Sequence, residues 1–90
     1  RIIMTKAKYV YVVLEDSFDL MEGGDTWVTC FHRKRDAREY FESMARRLQE
    51  DYKGATGIVH EQGEGLYEVF EEGNWSQFHH SIVFREEILN

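Results

Sequence analysis

The segment Lys8-Tyr-Val-Tyr-Val-Val-Leu14 is β-branched and aromatic with no helical period, which predicts a central strand covered on both faces. Thr26-Trp-Val-Thr-Cys-Phe31 predicts a second strand, placing Trp27, Thr29 and Phe31 on one face and Val28 and Cys30 on the other. Between them, Glu15 to Asp25 holds five acids, Gly23-Gly24 and no base, the composition of a turn or long hairpin loop.

The period then changes. Ala37, Tyr40, Phe41, Met44, Ala45, Leu48 and Tyr52 recur at helical spacing and form one apolar stripe, with Gly54 placed to stop the helix. On the opposite side Arg35–Glu39, Arg38–Glu42, Glu42–Arg46, Arg46–Glu50 and Arg47–Asp51 stand four residues apart. Each such pair adds only a few tenths of a kcal/mol, about 0.2–0.5, but together they favour a solvated helical face.

Strand character returns over Thr56 to Gln62 and Leu66 to Glu72, separated by Gly63-Glu-Gly65. Gly73-Asn74 predicts a tight hairpin into a last strand, Trp75 to Leu89. There Phe78, His80, Ile82, Phe84 and Ile88 alternate with Gln77, His79, Ser81, Arg85 and Glu87. The predicted order is ββαβββ. This is an α+β single domain, residues 1–90, with an antiparallel sheet of four to five strands and one long helix on one face.

Composition narrows the class. Ninety residues allow one small core, which 13 aromatic side chains (six Phe, five Tyr, two Trp) help to fill. No run approaches the roughly 20 apolar residues of a membrane-spanning helix. A lone cysteine, Cys30, excludes an intramolecular disulfide, and the expectation is a cytoplasmic protein with no membrane role.

Catalytic chemistry finds little support. His79 and His80 are neighbours on a strand and leave by opposite faces. Cys30 and His32 share a face that His60 could join, yet no CxxC or HxxxH spacing supplies a full zinc set. The acids of 15–25 lack the alternation and central glycine of a calcium loop. No Gly-x-Ser-x-Gly elbow surrounds a serine, and Gly63-Glu-Gly65 is no phosphate loop. The expectation is no catalytic residue, no metal and no cofactor.

Charge is unevenly spread. Of 11 bases, seven (Arg33, Lys34, Arg35, Arg38, Arg46, Arg47, Lys53) lie on or at the helix, whereas 54–90 carries seven acids against Arg85 alone. Two readings follow. In one, Glu15, Asp16, Asp19, Glu22, Asp25, Glu71 and Glu72, with Phe18, Leu20 and Met21 as apolar anchors, meet a basic or nucleic-acid-binding protein. In the other, Arg33, Lys34, Arg35 and Arg38 at the helix start hold a phosphate or nucleic acid. The net charge of −6 disfavours direct nucleic-acid binding.

The succession Tyr9 to Val13, Trp27 to Phe31, a helix opening Lys34-Arg-Asp-Ala-Arg-Glu-Tyr-Phe41, then hairpins, resembles small single-domain proteins of phages, prophages and gut bacteria. Some of these act as anti-CRISPR or other host-defence inhibitors. The resemblance is one of architecture and carries no site residues; it implies an inhibitor or adaptor that binds a partner protein without catalysis. Self-pairing into a homodimer through an uncovered edge strand such as Trp75 to Leu89 stays open.

Overall fold

The computed structural model describes residues 8–74 and 77–89. β1 (Lys8–Asp19) and β2 (Gly23–Phe31) form a long hairpin, α1 (Lys34–Asp51) follows, and β3 (Ile58–Gly63), β4 (Leu66–Glu71) and β5 (Phe78–Leu89) complete the sheet. Every pairing is antiparallel, in the order β2-β1-β5-β4-β3, and α1 packs across one face. The predicted α+β class and element order hold. Trp75 and Ser76, where the last strand was expected to begin, lie outside the described residues.

Three expectations need correction. First, Glu15 to Asp25 is not a loop: β1 runs on to Asp19, β2 starts at Gly23, and only Leu20 to Glu22 turn. The pairing explains how an acidic segment stays in a sheet. Asp19 faces Gly23, Ser17 faces Asp25, Asp16 faces Thr26 and Glu15 faces Trp27, so no two acids stand opposite each other. Thr26 even donates its hydroxyl to Asp16 Oδ1 at 3.0 Å.

Second, β5 is an inner strand over half its length. From His79 to Val83 it lies between β1 and β4, whereas from Arg85 on it pairs with β1 alone; the outermost strands are β2 and β3. Third, β1 is central but covered on one face. Residues directly opposed across an antiparallel ladder share a face, which places Tyr11, Val13 and Glu15 of β1 beneath the helix with Ile82 and Phe84 of β5. Val10, Val12, Leu14 and Phe18 point the other way, where no described element packs.

The core sits between helix and sheet. Ala37 and Leu48 of α1 meet Val13, Tyr67, Val69 and Ile82, all at most 5 % exposed. Aromatic rings close it along the helix: Phe31 with Tyr40 at 5.4 Å, Phe41 with Phe84 at 6.4 Å, and Tyr52 with Phe78 at 5.4 Å. The helical stripe therefore does what its spacing predicts. At Gly65 φ is +67°, and a Cβ there would stand 3.2 Å from the Phe84 carbonyl oxygen, so this turn requires glycine.

Candidate interaction surface at the acidic end

Both acidic tips lie at the same end of the sheet. Asp19 of β1 is in register with Phe78 of β5, so the β1–β2 turn abuts the β4–β5 connection, and Leu20 N–H donates to the Gln77 carbonyl at 2.9 Å. Asp19 shapes its own turn: its side chain accepts Met21 N–H at 2.8 Å and its carbonyl accepts Glu22 N–H at 3.2 Å. On the other side Asn74 N–H reaches the Glu71 carbonyl at 2.9 Å, with Gly73 at φ +76°. Glu72 N–H donates to the Gly57 carbonyl at 2.9 Å, which ties in the segment leaving the helix.

These contacts bring Asp19, Glu22, Asp25, Glu71 and Glu72 to the end of the sheet at which α1 closes with Asp51. The Tyr52 phenol registers the convergence: burial raises its pKa above 10.0, and Asp51 and then Asp19 push in the same direction. Two apolar side chains stand out of this acidic rim. Leu20 is 63 % exposed and Met21 90 %.

The remaining anticipated residues lie elsewhere. Glu15 is on the helix-covered face, accepting His80 Nε2–H at 3.2 Å. Asp16 and Phe18 emerge on the opposite face, where Asp16 stands 3.7 Å from His79 Nε2 and the Phe18 ring stacks on the His79 ring at 5.8 Å. Phe18 is thus half-buried in a ring stack, whereas Leu20 and Met21 stand exposed. His79 and His80 do leave by opposite faces, each beside a different carboxylate of β1.

The basic cluster is at the far end of α1. Eighteen helical residues separate the two ends by about 27 Å. Arg33 precedes the helix without a side-chain cap, and Arg35 Nε lies 3.7 Å from Asp36. Lys34 and Arg38 share a cleft with Phe41, Glu42, Glu64 and Glu86, so three carboxylates stand beside these two bases. Cys30 and His60 cannot meet, since Cys30 sits on β2 facing away from the helix and His60 on β3 facing towards it, at opposite edges of the sheet.

Two arrangements escaped the sequence pattern. A groove of about 420 Å³ runs between α1 and the β1–β2 hairpin, with Trp27, Tyr40, Met44, Arg47 and Asp51 around the Glu15–His80 pair. The only advance sign was Tyr40, Met44, Arg47 and Asp51 following one another at helical spacing. Beyond it, His60 bridges Tyr52 and Tyr67. Its Nε2–H donates to the Tyr52 carbonyl at 3.2 Å, which leaves Nδ1 to accept the Tyr67 hydroxyl proton at 2.7 Å. Burial raises the Tyr67 pKa above 10.0, in keeping with a phenol that stays protonated as a donor.

No protein-family model matches the chain, and no curated protein or solved structure matches it. Among the described residues no helix is long and apolar enough to cross a membrane.

Proposed function

We propose that this chain is a non-enzymatic protein-binding module whose acidic end engages a basic partner protein. The observation carrying this reading is the Leu20–Gln77 hydrogen bond, which joins two acidic tips distant in sequence into one rim around Leu20 and Met21. Acids of one sign steer a basic partner and reject an acidic one, while exposed apolar side chains supply the desolvated contact that surface charge lacks. The groove extends the same chemistry. Asp51 and Trp27 suit a partner's arginine, whose planar cation stacks on an indole while its N–H groups meet a carboxylate; Glu15 is held by His80, and Arg47 of the chain itself lines the same groove. A nucleic-acid-binding protein offers arginines in that setting, which agrees with an inhibitor or adaptor role of the phage-derived type.

The second reading places a phosphate at Arg33, Lys34, Arg35 and Arg38. The helix start favours it, because no side-chain cap occupies the free N–H groups there. Glu64 and Glu86 beside Lys34 and Arg38 oppose it. One experiment separates the two: amide chemical shifts followed during titration with an arginine- and leucine-rich peptide, and separately with a single-stranded oligonucleotide. The peptide is expected to move residues 19–25 and 71–74, to bind more weakly as salt rises, and to lose affinity in Met21→Asp. Oligonucleotide shifts confined to 33–38, with no peptide response at the acidic end, would overturn the first reading in favour of the second.

A further inference from the structure

The face of the sheet turned away from α1 is apolar in its middle, and no described element packs on it. The registers fix its layout. One cross-strand row is Val28, Leu14, Val83 and Leu66, on β2, β1, β5 and β4 in turn. One step towards the acidic end lies the polar row Asp16, Ser81 and Glu68, and one step the other way the row Cys30, Val12 and Arg85. A second step places Phe18 and His79 on the acidic side, and Val10 and Glu87 on the other.

We infer that this face is an interface between two copies of the chain, stacked sheet on sheet about a two-fold axis along the Leu14–Val83 row. A two-fold interface must be self-complementary; the apolar middle row and the charges at Arg85 and Glu87 are, while Val12 lands over Asp16. Rotation about that row lays it on its own copy and exchanges the rows on either side. Arg85 then lands over Ser81 of the second copy, between the Asp16 and Glu68 that flank Ser81 in register. Val10 lands over Phe18, and Glu87 over His79. Stacked sheets sit about 10 Å apart with strands offset by about 30°, which moves Arg85 sideways by only about 3 Å, towards one of its two carboxylates.

The overlap is that of a weak pair. β1 and β5 lie on their own copies over the eight steps from His79 to Glu87 at about 3.4 Å each and β2 over about four of them, whereas β4 ends at the Leu66 row; with strands about 4.8 Å apart this gives on the order of 330 Å² per copy. The total of about 650 Å² falls among weak, transient interfaces. The β1–β2 turn with Leu20 and Met21 lies beyond these rows, so the pairing is separate from the site proposed above for a basic partner.

The test is sedimentation equilibrium of the whole chain and of two charge variants, Arg85→Glu and Asp16→Lys, each checked for its fold by circular dichroism. The wild type is expected to be a dimer that tightens with salt, because two molecules of charge −6 repel each other when unscreened. Binding of a basic partner shifts the opposite way with salt, so failure of either proposal is seen separately. Each variant alone places like charges at both contacts and is expected to weaken the dimer about tenfold or more. Mixed one to one, they are expected to form a heterodimer. The carboxylate introduced at position 85 of one chain then faces the ammonium introduced at position 16 of the other, while the second contact keeps its native Arg85 and Asp16. A monomeric wild type would overturn the inference. So would a dimer unmoved by both variants, the outcome of pairing through the β2 edge, or a mixture that stays monomeric when its parts do.

Discussion

The two faces of this sheet are both apolar in the middle and have different fates. On the helix face Val13, Tyr67, Val69 and Ile82 fall to 5 % exposure or less beneath Ala37 and Leu48. On the other, Val10, Val12, Leu14, Leu66, Phe70 and Val83 are only half-buried by their neighbours, and Val28 is 57 % exposed. Burial stabilises by about 25 cal/mol per Å² of apolar surface, so one face holds the fold together while much of the other's contribution is left unclaimed by a single chain. Apolar content alone did not say which face the helix would take. Its choice follows the large partners: Phe31, Phe78 and Phe84 offer rings to Tyr40, Tyr52 and Phe41, whereas the open face has mostly β-branched residues, interrupted by the Asp16–Ser81–Glu68 row.

The contrast between the faces breaks most sharply under large-to-small substitution at neighbouring positions of β5. Ile82→Ala removes a side chain that is 1 % exposed and is expected to cost about 2–4 kcal/mol in urea unfolding. Val83→Ala, one residue on and pointing the other way, should cost under about 1.5 kcal/mol in dilute protein, where no second copy covers it. Equal losses would mean that the open face is already covered within one chain.

A smaller effect is expected at the hydrogen bond that joins β4 to β3 beside the end of α1. Tyr67→Phe keeps the ring in the core but removes the proton donated to His60, for a loss of about 0.5–1.5 kcal/mol in the same assay. The smallest is the alkaline limit of the helix face. Burial raises the pKa of both Tyr52 and Tyr67, so an unfolded chain surrenders these protons near pH 10 while the folded chain retains them. Their contribution to stability is complete below that pH and is lost as pH rises through the folded values. In pH-dependent thermal melts Tyr67→Phe should shallow the alkaline fall, and an unchanged slope would mean that Tyr67 titrates alike in both states.

Much of the fold was legible in the sequence. The helix stood out because seven apolar positions keep one period over four turns, and tertiary packing had nothing to override. The strand from Lys8 was plain for the same reason, but its continuation through Glu15 to Asp19 was hidden: composition signalled a loop, while the pairing that spares each acid an opposing acid is set by a register no single segment reveals. The same long-range pairing kept the site half-hidden. Leu20 and Met21, expected in a loop, are exposed in the three-residue turn, whereas Phe18 falls on the face turned from the helix by strand alternation once the loop proved to be a strand. The groove around Glu15 and His80 draws on β1, β2, α1 and β5, and only the assembled sheet brings these together.

The division of labour between the two faces is tested most directly by the thermal midpoint of the wild-type chain as a function of its own concentration. If one face folds the protein and the other associates, a hundredfold increase in concentration adds about 1.4 kcal/mol per chain and should raise the midpoint by about 5–10 °C. A midpoint that stays constant over that range would contradict it.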